Sequence, residues 1–147
     1  MGVNRLLTHD LETIVWQILN SSTEVKSAIN GGIYKEAFRP SNSGKQDISL
    51  SVLDLTQDNP QIGICNINVY TQDQKKVINT SENYVPYTVK LEELAVKIKS
   101  AIEAALTNPL YQNIGFRVDK QKVFKNQDTE SKEHFNNLRI EFLITNN

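Results

Sequence analysis

The chain has 147 residues, of which 39% are hydrophobic and 22% charged, a size and composition typical of one folded domain. It is long enough to bury a core without a disulfide or a metal, and its hydrophobic content excludes a disordered chain. Its 16 lysines and arginines against 17 aspartates and glutamates give a formal net charge of −1. Nucleic-acid binding normally needs an excess of positive charge to neutralise phosphates, which this chain lacks, and we expect no readout of nucleic-acid sequence.

Cysteine content and the N-terminal residues indicate a compartment. Cys65 is the only cysteine, so an internal disulfide is impossible and a reducing compartment is the simplest setting. Residues 1–10 include Arg5, His9 and Asp10 and lack the apolar core of a signal peptide. No apolar run approaches the ~20 residues that span a bilayer. We therefore expect a soluble, cytoplasmic protein that does not enter membranes.

Three segments have the apolar spacing of amphipathic helices. The first is Thr8–Asn20, and the second is a short helix that opens with the capping-box pattern Ser21–Glu24 and stops at Asn30-Gly31-Gly32. The third and longest runs from Val89 to Leu106 and ends before Asn108-Pro109. Its polar side carries both signs of charge, which favours packing on a core over binding to a membrane surface.

Five segments are predicted to be strands, and the second, third and fifth alternate apolar with polar residues: Ile33–Phe38, Asp47–Thr56, Gln61–Thr71, Asn113–Phe124 and Phe135–Thr145. In the second strand the apolar positions change phase at Leu53, and in the third Ile62 and Ile64 are out of phase. Both shifts predict a β-bulge or burial on two faces. Asn66 and Asn68 share one face of the third strand, which indicates solvent or a polar partner there.

Three polar segments connect these elements. Asn126–Glu133 links the last two strands, whereas Arg39–Lys45 and the aperiodic Gln72–Tyr87 are too long for simple turns. The two long segments are either mobile loops or parts of a protein interface, since tyrosine and arginine are enriched in interfaces. The candidate interface residues are Arg39, Asn42, Lys45, Tyr84 and Tyr87.

No residue pattern predicts catalysis. His9 and His134 lie on different elements, and no serine or cysteine has a neighbouring base. Cys65 occupies an apolar strand position, where an inert buried thiol is expected. His9 and Glu12 could share a helix face, but no second pair with ligand spacing accompanies them. We therefore predict no catalytic residue, no metal and no cofactor, and hence a protein that is not an enzyme.

One stretch has a weak nucleic-acid character. Lys120, Lys122 and Lys125 are interleaved with Phe116 and Phe124. Because the net charge is not positive, we interpret this stretch as an ordinary exposed hairpin edge rather than a nucleic-acid platform. The chain also lacks the glycine-rich loops that bind nucleotide phosphates.

The predicted order of elements is α-α-β-β-β-α-β-β. Short turns between neighbouring strands indicate an α+β fold with a mainly antiparallel sheet of about five strands. Two long helices are expected to bury their apolar stripes on one face of this sheet.

This order resembles the tail-terminator or tail-completion (minor tail) proteins of long-tailed bacteriophages and related contractile machines. The resemblance includes the opening helix Leu6–Ile18 and the run Val25–Tyr34, a short helix leading through glycines into the first strand. It implies a structural protein that forms a ring, commonly of six copies, between the tail tube and the head connector. It also implies that the protein is cytosolic in the host before assembly and part of the virion afterwards. A small ligand- or peptide-binding module is the alternative, and a metal-independent enzyme is a third possibility.

Overall fold

A computed structural model describes residues 5–127 and 132–146. Its helices are α1 (Thr8–Asn20), α2 (Thr23–Ala28) and α3 (Thr88–Ala105), followed by a 3-10 turn at Pro109–Tyr111. The N-cap of α2 is Ser22, whose hydroxyl accepts a hydrogen bond from the Val25 N–H at 3.2 Å. None of the helices in the described part of the chain is long and apolar enough to cross a bilayer.

Five strands form the main sheet in the order β1-β2-β3-β7-β6. They are β1 (Ile33–Tyr34), β2 (Ile48–Leu55), β3 (Gln61–Gln72), β6 (Ile114–Lys125) and β7 (Glu133–Ile144). β1 runs parallel to β2, and the other three pairings are antiparallel. The predicted α+β class and the mainly antiparallel sheet are confirmed. A separate two-stranded sheet, β4 (Gln74–Ile78) with β5 (Ser81–Val85), adds two strands to the predicted order.

The core lies between one face of the main sheet and the two long helices. Helix α1 packs mainly on β2, and α3 packs on β3 and β7. Their buried stripes meet alternate residues of the strands: Leu11, Val15, Leu19, Leu94, Ile98 and Ile102 from the helices, and Ile48, Leu50, Ile67, Ile140 and Phe142 from the sheet. Each such side chain contributes about 1.5–3 kcal/mol on burial. The predicted placement of both long helices on one sheet face is confirmed.

The predicted strand Ile33–Phe38 is shorter than expected. It ends after Tyr34, because Glu36 and Ala37 adopt positive φ angles of 58° and 53°, which are incompatible with a strand. The Glu36 N–H donates to the carboxylate of Glu12 at 2.7 Å, and the Ala37 N–H donates to the Leu50 carbonyl at 2.9 Å. These tertiary hydrogen bonds hold a turn where the side-chain pattern alone indicated an extended chain.

One of the two predicted strand irregularities is present. The pairing of β2 with β3 shifts between Val52 and Asp54, which confirms a bulge at Leu53. The pairing of β3 with β7 is continuous, so the prediction of a bulge or two-faced burial at Ile62 and Ile64 was wrong. The buried positions alternate regularly through Gly63 and Cys65, so that Ile62 and Ile64 face away from the core. Gly63 occupies a core-facing position but has no apolar side chain, so the alternation of apolar and polar residues along β3 was not visible in the sequence.

Glu12 is a buried carboxylate that joins α1 to the edge of the sheet. Its side chain accepts the Glu36 N–H and, at 3.2 Å, the Val52 N–H of β2. The residue is 5% exposed. Since β1 pairs only with Ile48 and Ser49, this carboxylate satisfies a β2 amide that β1 does not reach.

Replacing Glu12 by alanine is expected to lower the free energy of unfolding by about 3 kcal/mol, because two backbone amides lose a charged acceptor. Urea unfolding followed by circular dichroism measures this change. Glu12→Gln is the control, since its amide oxygen still accepts one of the bonds and the loss should be smaller. Equal, small losses in both variants would contradict a capping role for Glu12.

Candidate assembly surface

None of the helices within residues 5–127 and 132–146 packs on the second face of the main sheet. Its central side chains are polar and come from β3, β7 and β6: Asn66, Asn68, Asn137, Arg139, Glu141, Arg117, Lys120 and Lys122. Asn137 donates to the Asn68 side chain at 2.7 Å, and Arg117 pairs with Glu141 at 3.1 Å. The expectation that Asn66 and Asn68 share a polar face is confirmed. We call this surface the open face.

One end of the open face carries a row of aromatic rings. The Tyr70 and Phe135 centroids lie 5.2 Å apart, and those of Phe135 and Phe124 lie 5.5 Å apart. The guanidinium carbon of Arg39 lies 3.9 Å from the centroid of Tyr70. The segment after β1 therefore folds onto the open face at this end of the sheet and is held there by a cation–π contact.

Arg39 is also the centre of a buried ion-pair cluster. Its Nε donates to Asp47 at 2.8 Å, and Nη1 and Nη2 donate to the two carboxylate oxygens of Glu133 at 2.6 and 3.1 Å. The side chains of Arg39, Asp47 and Glu133 are 12%, 1% and 3% exposed. A forked arginine on two carboxylates fixes the positions of all three, and we call this the arginine clamp.

Hydrogen bonds in the clamp set its protonation. Burial acts to raise the pKa of Asp47, but hydrogen bonds from Ser43, the Gly32 N–H and Arg39 outweigh it, so that this pKa lies below the usual value of 3.8. Burial acts to lower the pKa of Arg39, but its hydrogen bonds to Glu133 and Asp47 outweigh this effect, so that the pKa lies above its usual value. Arg39 and Asp47 are therefore both ionised at neutral pH.

The prediction that Gln72–Tyr87 is an aperiodic loop was wrong. Residues 74–85 form the β4–β5 hairpin, with Asn79 and Thr80 at φ angles of 49° and 66° in its two-residue turn. Positive φ at both positions matches the right-handed twist of the strands. Val77 and Ile78 are 68% and 52% exposed, so the hairpin presents apolar side chains to solvent.

The hairpin is joined to the main sheet at the end where β3 finishes. The Asp73 N–H donates to the Lys132 carbonyl at 2.8 Å, and the Lys132 ammonium lies 3.7 Å from the ring centroid of Tyr84. His134 and Asp73 also pair here, with Nδ1 and Oδ1 2.7 Å apart. These contacts anchor the base of the hairpin, while its turn extends away from them.

The five predicted interface residues lie at this same end of the sheet. Arg39 is engaged in the clamp, and the Lys45 carbonyl accepts a hydrogen bond from it at 2.9 Å. Asn42 is exposed with a φ of 55°. Tyr84 is half exposed on β5, and Tyr87 is the N-cap residue of α3. Sequence reasoning missed four residues at this end of the sheet: Asp47, Glu133, Val77 and Ile78. Only Val77 and Ile78 gave a local signal, because they are apolar residues between polar ones.

A second exposed apolar surface lies at the opposite end of the sheet. Ile62 on β3 pairs directly with Leu143 on β7, and Leu53 occupies the neighbouring bulge of β2. These three side chains are between 41% and 50% exposed. We call them the strand-end patch. At about 3.3 Å per residue, roughly 33 Å of β3 separate Ile62 from Gln72, where the hairpin begins.

The reactive groups among the described residues do not converge. Burial raises the pKa of the Cys65 thiol to about 12, so the predicted inert thiol is confirmed. No group of three or more potential metal ligands occurs within residues 5–127 and 132–146. A groove of about 830 Å³ lies between the helices and is lined by residues such as Gln17, Ile18, Ala101 and Tyr111. The space between the sheet and the helices, where a ligand-binding module could hold its ligand, is filled by the core.

The Asp47→Asn variant is expected to lose about 2 kcal/mol of stability at pH 7, because the clamp loses one charged acceptor. The folded pKa of Asp47 lies below its unfolded value, so its stabilisation is present above about pH 4 and disappears as the pH falls further. Urea unfolding at pH 7, 4 and 3 should give a difference from the wild type that shrinks with acidity. Asp58→Asn, on an exposed turn, is the control. A difference independent of pH would contradict this account.

Comparison with known proteins gives a match of fold. No protein-family model and no curated protein match the sequence. A chain in the solved structure of the virion of a native gene transfer agent (GTA) particle has a similar fold, with a TM-score of 0.52 and 12% sequence identity. The alignment covers 92% of this chain and 94% of that one, so the likeness includes nearly every element described above. The protein thus shares its fold with that chain of the gene transfer agent virion.

Proposed function

We propose that this protein is a structural, non-enzymatic assembly protein of a phage-like tail, forming a ring at the tail end or the head–tail junction. The observation that carries the proposal is the shared fold with a virion chain over almost the whole of both chains. The element order resembles tail-terminator proteins independently of that comparison. The tail tube and the head connector are the proposed partners, and residues 1–147 are proposed to act as one domain.

The two exposed apolar surfaces supply a basis for a ring. A ring requires a head-to-tail interface, in which two different surfaces of one subunit each meet the other surface on its two neighbours. The hairpin carries Val77 and Ile78 at one end of the sheet, and the strand-end patch carries Ile62 and Leu143 at the other. Because both surfaces are apolar and remote from each other, one can dock on the other in a neighbouring copy.

The energetics favour the hairpin as the docking arm. An isolated two-stranded hairpin is at best marginally stable in water, and neither strand of this one belongs to the main sheet. Apolar residues at its turn end gain stability once a neighbour covers them. A net charge of −1 adds little repulsion between copies. The clamp, which lies at the base of the hairpin, fixes that end of the sheet for docking.

Cysteine cross-linking tests the head-to-tail contact, because the native Cys65 is buried and unreactive. A Val77→Cys chain mixed with a Leu143→Cys chain should give a heterodimer with a short bismaleimide, whereas either chain alone should give little product. Val96→Cys, exposed on α3, is the matched control partner and should not react with Val77→Cys. The products are separated by mass on a denaturing gel.

A cross-linked homodimer of Val77→Cys alone would indicate a two-fold interface and contradict a ring. The absence of any product between Val77→Cys and Leu143→Cys at high concentration would contradict the proposed surfaces. Electron microscopy of the wild-type protein, alone and with tail-tube protein, should show closed rings of about six copies if the function is correct. A strictly monomeric protein in both preparations would instead favour the ligand-binding alternative, for which the interhelical groove is available.

A further inference from the structure

Three cations lie together on the open face. Lys120 on β6 is the direct cross-strand partner of Arg139 on β7, and Lys122 follows two residues along the same face of β6. Both lysines are exposed and Arg139 is half-buried. Like charges directly opposite each other on a sheet destabilise it. This arrangement therefore costs stability in the isolated protein.

The nearest carboxylates are already engaged. Arg117 pairs with Glu141 at 3.1 Å and with Asp119 at 3.3 Å. Within residues 5–127 and 132–146, neither lysine nor Arg139 forms an ion pair. The Lys122 ammonium lies 5.1 Å from the ring centroid of Phe124, a contact that leaves its charge unneutralised.

Neutral hydrogen-bonding groups surround the cations. Asn66 lies directly opposite Arg139 on β3, and Asn137 lies opposite Lys122. Asn68 accepts a hydrogen bond from Asn137, which leaves the amide group of Asn68 able to donate to an anion. Lysine, arginine and asparagine together are the groups that bind phosphate oxygens in nucleic-acid backbones.

We propose that this surface binds the phosphate backbone of nucleic acid without reading its sequence. A protein partner fits less well, because interface centres are depleted of charge, whereas this part of the open face carries three cations beside the three asparagines. A single small anion would neutralise only part of the charge of Lys120, Lys122 and Arg139, whereas a nucleic-acid backbone offers several phosphates to this cluster. The proposal does not depend on ring formation.

The structure changes the interpretation of the basic and aromatic stretch. Phe116 packs against the core, whereas Lys120 and Lys122 join Arg139, a residue distant in sequence, on the open face. The net charge of −1 governs the field far from the protein, but a bound phosphate senses charges within a Debye length of about 10 Å at 0.1 M salt. Binding should therefore be local, weak and strongly dependent on salt.

Fluorescence anisotropy with a labelled 30-base-pair duplex tests the proposal. The wild-type protein should bind at 25 mM salt, with log K falling against log salt at a slope of about −2.7 for three neutralised phosphates. The triple variant Lys120→Gln, Lys122→Gln, Arg139→Gln should bind at least 10-fold more weakly. A scrambled duplex should bind as well as the original, and a single strand of equal length should show a shallower slope.

The matched control is Lys26→Gln, Lys97→Gln, Lys99→Gln, which removes the same charge from the helices. It should bind within about twofold of the wild type. Equal weakening in both triple variants, or no binding by the wild type at 25 mM salt, would overturn the proposal. A thermal melt of the open-face variant should be no lower than that of the wild type, since repulsion is removed. Loss of cross-linking between copies in this variant, with duplex binding intact, would instead assign the cations to self-assembly.

Discussion

Both long helices pack on the same face of the main sheet, and this one-sided burial determines what the other face can do. The helices supply enough apolar surface for a core, so the strands need no second layer. The other side has no helix among the described residues, so its residues need not fit an apolar core, although the segment after β1 covers one end of it. The aromatic row, the arginine clamp, the strand-end patch and the unpaired cations all belong to this side. Function, in our proposal, is divided between regions of a single surface.

The arginine clamp compensates for the missing layer at one end of that surface. Arg39 and Glu133 are 94 residues apart in sequence, and their forked bonds fasten the segment after β1 to the start of β7. An apolar contact there would fix the relative orientation of the two segments less closely than the two parallel hydrogen bonds from a guanidinium to a carboxylate. The cluster also holds Asp47, next to the start of β2. The clamp thereby fixes three segments relative to each other where no helix covers them.

The elements with one buried face were predictable from sequence, because burial imposes a period on the residues. Helices α1 and α3 and strands β2 and β7 followed their apolar spacing closely. The hairpin was missed because both of its faces are exposed, which removes the alternation, and because Asn79-Thr80 lacks the glycine that usually marks such a turn. Arg39 was singled out for its residue type, but its partner Glu133 could not be identified without the fold.

The same limit applies to the cations of the open face. Lys120 and Lys122 were visible as a short basic stretch, but Arg139 joins them only through the pairing of β6 with β7. A count of charge over the whole chain averages such a cluster with acidic helix residues elsewhere. Which charges lie next to each other on a sheet depends on how the strands pair. The pairing of two distant segments cannot be deduced from the sequence of either segment alone.

The bond from Glu12 to the Val52 amide has a consequence for biosynthesis. An uncovered strand edge is a template for pairing with other chains, including unfinished ones on neighbouring ribosomes. Because chains are made from the N-terminus, α1 leaves the ribosome before β2 does. The carboxylate that accepts the Val52 N–H is therefore synthesised before the strand edge that it caps.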